Sequence, residues 1–111
     1  MNRDLSTRFS DPPLLILVSL SDGPKHGYAM MEDIRAFSGT RLEPGTLYGA
    51  ITRLEKHGLI AACEMEERRR PYRITNAGRE WLQQRVETLE RIAATSRRRL
   101  SLQADWGLRG C

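Results

Sequence analysis

Between Gly58 and Thr75 the hydrophobic period of this chain changes from that of a helix to that of a strand, and then changes back. From Leu59 the residues alternate, with Leu59, Ala61, Cys63 and Met65 on one face and Ala62, Glu64 and Glu66 on the other. After Glu67-Arg68-Arg69-Arg70 comes Pro71-Tyr72-Arg73-Ile74, in which Tyr72 and Ile74 again share a face. Two half-buried strands joined by a short polar connection make a hairpin. Everything around it reads as helix, so the expected fold class is mostly α with a small β-hairpin.

The helices have legible ends. Asp11 ahead of Pro12 is a capping carboxylate with proline in the first turn, and Leu14 to Val18 with Leu20 follow, giving a first helix over about 11–21. Ser21-Asp22-Gly23-Pro24 is a turn. Met30, Ile34 and Phe37, flanked by Met31 and Tyr28, then make an amphipathic helix over about 26–37 that ends at Gly39. Pro44 opens a third, about 44–57, with the stripe Leu47, Ile51 and Leu54 and with Gly58 just past its end. Thr75 caps a last helix over about 76–100. There Leu82, Val86, Leu89, Ala93, Ser96 and Leu100 follow at steps of 4, 3, 4, 3 and 4, the period of a helix paired with another. Residues 1–10 read as a flexible N-terminus, 11–75 as the globular domain, 76–100 as a dimerisation helix and 101–111 as a tail.

Size and charge narrow the function. A chain of 111 residues builds one compact core and has no room for a second domain around an enclosed cleft, so a binding module outranks an enzyme. It holds no nucleophile and base pair, no phosphate loop and no paired carboxylates, and no Cys/His pair at zinc-ligand spacing. No cofactor and no metal are expected. Cys63 and Cys111 are too few for a disulfide scaffold. The longest apolar run is five residues against the roughly 20 that span a bilayer, and no signal peptide opens the chain, so no membrane partner and a cytoplasmic location are expected. The net charge is +4, and 16 of the 18 cations are Arg. Residues 1–60 hold seven cations and seven anions, while 61–111 hold eleven and seven. The excess lies in the second half and suits a polyanion.

Three helices, a hairpin and a helix make a winged helix-turn-helix plus one long C-terminal helix. In that arrangement one face of helix three packs on the core and the opposite face enters the DNA major groove. Turning Leu47, Ile51 and Leu54 inward leaves Thr46, Gly49, Ala50 and Arg53 outward, with Lys56 beside them. Gly49 and Ala50 let the backbone approach the bases, amides near Gly45 and Thr46 can take a phosphate, and Arg53 is the candidate for a base edge. Arg68, Arg69 and Arg70 on the wing, with Arg73 behind them, are placed for phosphate or minor-groove contact. His26 satisfies the turn before helix two, His57 sits at a helix C-terminus, Cys63 reads as a buried thiol, and Trp81 packs beneath helix one.

Four ordered motifs carry a resemblance. Gly23-Pro24-Lys25-His26-Gly27-Tyr28, Pro44-Gly45-Thr46-Leu47-Tyr48, Arg53-Leu54-Glu55-Lys56-His57-Gly58-Leu59-Ile60 and Tyr72-Arg73-Ile74-Thr75-Asn76-Ala77-Gly78-Arg79 resemble the PadR family of transcriptional regulators over roughly residues 14–82. The resemblance implies a homodimeric winged-helix regulator, usually a repressor, on an inverted-repeat operator of double-stranded DNA. Pro44 to Lys56 match its recognition helix, Arg68 to Arg70 its wing, and the last helix its dimerisation element. The chain's shortness resembles the subgroup with a single C-terminal helix. Tyr28 and Tyr48 join the candidate DNA contacts. The chain departs from the family pattern at Gly49, commonly proline, at Glu43, commonly a hydroxyl residue, and at Pro71, often aromatic. A small-molecule effector, which the sequence does not identify, would act by changing the spacing of the two recognition helices. The competing expectation is a winged-helix protein–protein interaction module without sequence-specific DNA binding.

Overall fold

The computed structural model describes residues 11–105, and the expectations for residues 1–10, Trp106 and Cys111 lie outside them. The elements run α1 (Pro12–Leu20), α2 (Gly27–Ser38), α3 (Pro44–Lys56), β1 (Ile60–Ala62), β2 (Tyr72–Ile74) and α4 (Asn76–Asp105). Asp11 caps α1: one carboxylate oxygen accepts the Leu14 amide at 3.2 Å, and the other accepts from Arg85 of α4 at 2.8 Å. The dense apolar block of α1 is buried nearly all round, because α2, α3, α4 and β2 all pack against it.

Leu17 and Leu20 of α1, Met30 and Ile34 of α2, Leu47 and Ile51 of α3, and Ile60 of β1 are fully buried together. Each such side chain stabilises the fold by about 1.5–3 kcal/mol relative to exposure. Phe37, expected on the same stripe of α2, is 46 % exposed in the last turn, and Leu42 from the α2–α3 connection is buried in the core.

β1 and β2 pair antiparallel, with Ile60 opposite Ile74 and Ala62 opposite Tyr72. On its other side Tyr72 exchanges both backbone hydrogen bonds with Lys25, at 3.1 and 3.0 Å. The stretch before α2 is thus a third edge of the sheet, and it fixes the hairpin against the start of α2.

The junction of hairpin and α4 is close. The Thr75 hydroxyl accepts the Gly78 amide at 3.0 Å and donates to the Gly58 carbonyl at 2.7 Å, while the Thr75 amide donates to the Leu59 carbonyl at 3.1 Å. Gly78 is buried there, and a Cβ on it would stand 2.1 Å from the Leu59 carbonyl oxygen, so only glycine fits. Along α4, Trp81 and Leu82 pack partly buried against the core, and the Arg85 guanidinium stacks 5.1 Å from the Trp81 ring centroid. Beyond this the helix leaves the globule. Its 30 residues span about 45 Å, and it continues past the expected end at 100 through Asp105, since no Gly or Pro interrupts it before Gly107. No helix of the described residues is long and apolar enough to cross a membrane.

Candidate nucleic-acid interface

The apolar stripe of α3 is four residues wide. Leu47, Ala50, Ile51 and Leu54 are all buried, so Ala50, expected on the outward face, belongs to the core at 0 % exposure. Positions i, i+3, i+4 and i+7 form one helical face, and a small residue at i+3 brings the helix close to its neighbours. Thr46, Tyr48, Arg53 and Lys56 are exposed and Gly49 is half-buried. Among the described residues no carboxylate lies within 4.0 Å of Arg53 or Lys56, leaving both cations open to an anion. Glu43 precedes the helix but makes no side-chain cap. An uncapped start leaves the first amides, at Gly45 and Thr46, without an intrahelical partner. At the other end the His57 ring nitrogen Nδ1 lies 2.8 Å from the Arg53 carbonyl.

Tyr48 connects α3 to α2. A Cβ on Gly27 would fall 2.2 Å from the Tyr48 hydroxyl, so the glycine is what lets that side chain lie across the start of α2, beside the exposed Tyr28. Burial, with a smaller contribution from the nearby Glu55 charge, raises the Tyr72 phenol above its ordinary value. In the turn before α2, the Lys25 ammonium holds the exposed Asp22 carboxyl below its usual range by hydrogen bonding and by charge.

The wing departs from the expected alternation. Cys63 pairs with Pro71 through an amide-to-carbonyl bond of 2.8 Å, but the next bridge joins Glu66 to Arg69, with bonds of 2.7 and 2.8 Å. Glu64 and Met65 therefore both stand opposite Arg70, a β-bulge. The core face of β1 is the opposite of the one expected: Ile60, facing Ile74, is fully buried, whereas Ala61 and Cys63 on the alternate face are only half-buried, and Met65, beyond the bulge, is 52 % exposed. Glu67 and Arg68 fill the two turn positions at φ 47 and 71, a tight two-residue hairpin connection.

The three wing arginines are not equivalent. Arg70 donates to the Cys63 carbonyl at 2.7 Å, and Arg69 lies 3.1 Å from the His26 ring nitrogen Nε2. The other His26 nitrogen, Nδ1, is 3.3 Å from the Ala29 amide and caps α2. A neutral imidazole has one lone-pair nitrogen, so cap and arginine compete for it. His26, Tyr28, Tyr48, Met65, Tyr72 and the three arginines line a shallow cavity of about 400 Å³ between wing and helices. The structure thus brings Tyr28, Tyr48 and Arg68 to Arg70 together on one surface. No group of three or more His, Cys, Asp or Glu suited to a metal occurs among the described residues.

A helix-turn-helix whose second helix is flanked by a basic hairpin defines the winged-helix class. The Transcriptional regulator PadR-like family model matches residues 16–84, and the chain belongs to that family. It is 44 % identical over 86 residues to the Uncharacterized 37.1 kDa protein in transposon TN4556 of Streptomyces fradiae, covering 78 % of this chain and 25 % of that protein. Transcriptional regulator Rv3488 of Mycobacterium tuberculosis is 37 % identical over 86 residues, 72 % of this chain and 77 % of its own. The chain spans a quarter of the first relative's length. Among solved structures, a PadR family transcription regulator from Clostridium difficile R20291 superposes with a TM-score of 0.73 at 26 % identity, over 80 % of this chain and 97 % of that one.

Proposed function

We propose that this regulator binds an inverted-repeat operator in double-stranded DNA as a homodimer and represses transcription from the promoter it covers. One observation carries the DNA-binding reading. Tyr48 of α3 lines one cavity with Tyr28 and the wing arginines, and α3 also exposes Thr46, Arg53 and Lys56 around a half-buried Gly49, with no carboxylate neutralising Arg53 or Lys56 among the described residues. α3 enters the major groove, Arg53 reads a base edge, and the wing follows the flanking backbone. Residues 11–75 are the DNA-binding unit.

The dimer reading rests on α4. Val86, Leu89, Ile92 and Leu100 are 37–69 % exposed on a helix that leaves the core, and an apolar face of this kind is stable in water only when covered. Leu82, Val86, Leu89, Ala93, Ser96 and Leu100 form the seam, which a second copy of the same helix covers. A two-fold dimer requires half-sites about 10 base pairs apart. A small molecule that prefers one spacing of the two recognition helices shifts operator affinity by that preference.

The test is a gel shift with DNA from upstream of the chain's own gene, paired with a reporter under that promoter. Sequence-selective retardation with reduced reporter output is expected. No retardation at about 50 mM salt, where phosphate contacts are strongest, supports the protein–protein interaction module instead. Increased output reverses the sign of regulation.

A further inference from the structure

We infer that Arg70 holds the wing in shape by replacing a strand hydrogen bond that Pro71 cannot make, and that among the wing arginines Arg68 is the one left to contact DNA phosphate. This inference rests in part on the DNA-binding reading above. Cys63 and residue 71 stand opposite each other at a hydrogen-bonded position of the ladder, since the Cys63 amide donates to the Pro71 carbonyl at 2.8 Å. At such a position the two residues exchange two bonds. The return bond would run from the amide of residue 71 to the Cys63 carbonyl, and proline has no N–H. The Arg70 guanidinium reaches that same carbonyl at 2.7 Å.

The brace sits where the wing is weakest. Beyond Cys63 and Pro71 the register slips by a residue, and the turn then forces Glu67 and Arg68 into positive φ. Without a donor to the Cys63 carbonyl, the bulge would be held only by the single Cys63 amide-to-Pro71 bond on one side and the Glu66–Arg69 bridge on the other. Arg69 is drawn back toward the His26 ring at 3.1 Å. Arg68, at the turn, makes no hydrogen bond or ion pair among the described residues and lies at the tip.

Pro71→Ala supplies the rescue. It restores an amide at position 71, and that amide can take over the Cys63 carbonyl. In the full chain, Arg70→Ala is expected to speed hydrogen exchange at the Cys63, Glu66 and Arg69 amides roughly tenfold, the effect of losing a hydrogen bond of about 1.4 kcal/mol. In the Pro71→Ala background the same change has little effect, and Arg68→Ala speeds none of the three. Equal acceleration in both backgrounds, or none in either, overturns the inference whether or not the chain binds DNA.

Binding of an operator fragment across a salt series completes the test. Arg68→Ala lowers the salt slope by about 1.8 over the two wings of a dimer, at about 0.9 per phosphate contact. Arg70→Ala weakens binding at unchanged slope, and Pro71→Ala restores it. A slope that falls for Arg70→Ala as it does for Arg68→Ala makes Arg70 a phosphate contact and refutes the inference. If the native chain shows no operator binding, the DNA reading fails separately, and the exchange measurement still decides the role of Arg70.

Discussion

Replacing Gly78 by alanine sets two effects of opposite sign against each other. In an exposed helix interior the change stabilises by about 1 kcal/mol, because alanine loses less backbone freedom than glycine. Here the new methyl carbon would lie 2.1 Å from the Leu59 carbonyl oxygen and 2.8 Å from the Ile74 side chain. A backbone carbonyl cannot swing aside as a side chain can, so the start of α4 must retreat by roughly 1.3 Å to reach the 3.4 Å of ordinary contact. That retreat breaks the three bonds that Thr75 organises, at 3.0, 2.7 and 3.1 Å, each worth about 1 kcal/mol. If α4 does not move, overpacking costs a similar 1–3 kcal/mol. Against the gain of about 1, the net expectation is destabilisation by about 2 kcal/mol or more. For a domain this size that lowers Tm by roughly 8 °C or more, read by circular dichroism at one fixed protein concentration, so that the proposed dimerisation does not enter the comparison. An unchanged or raised Tm for Gly78→Ala would refute the close junction between hairpin and α4.

Gly49→Ala is the contrasting case: the nearest atom to its new carbon is Arg53 Nη1 at 3.7 Å, so urea unfolding should show a gain of about 1 kcal/mol while operator affinity falls in a gel shift. Leu89→Glu places a charge in the α4 seam and should give monomers by light scattering, whereas a persistent dimer moves the interface elsewhere. Because burial raises the Tyr72 phenol, the folded state holds that proton longer than the unfolded chain does, so its stabilising contribution is full below about pH 10 and is lost as pH rises through the raised value. The ultraviolet titration difference between the native chain and Tyr72→Phe should have its midpoint above about 10; a midpoint below that contradicts burial as the cause.

The helices were legible because their punctuation is local. Asp11 and Pro12, Pro44, and Thr75 each act on the turn that follows them, and the observed helices begin within a residue or two of those marks. Ala50 escaped because alanine is neutral in a polar-apolar pattern and its burial is decided by how closely α3 packs, which is a tertiary fact. The wing was half legible: the alternation located both strands, but the slip at Glu64 and Met65 is set by the two-residue turn at Glu67 and Arg68, whose positive φ no glycine or asparagine announces. Proline at position 71 lacks an N–H in any fold, so the missing donor is legible in the sequence. That Arg70 supplies one, that Lys25 pairs with Tyr72, and that Asp11 reaches Arg85 74 positions away depend on the folded chain. Ile92, exposed beside the seam, was missed because it falls outside a strict 3.5-residue period.

Selection of bound fragments from a randomised double-stranded DNA library by the purified chain tests DNA recognition most directly, with light scattering of the recovered complex to count chains. Enrichment of an inverted repeat with half-site centres about 10 base pairs apart, occupied by two chains, is the predicted result. Recovery of no shared sequence, or of a single half-site held by one chain, would contradict it.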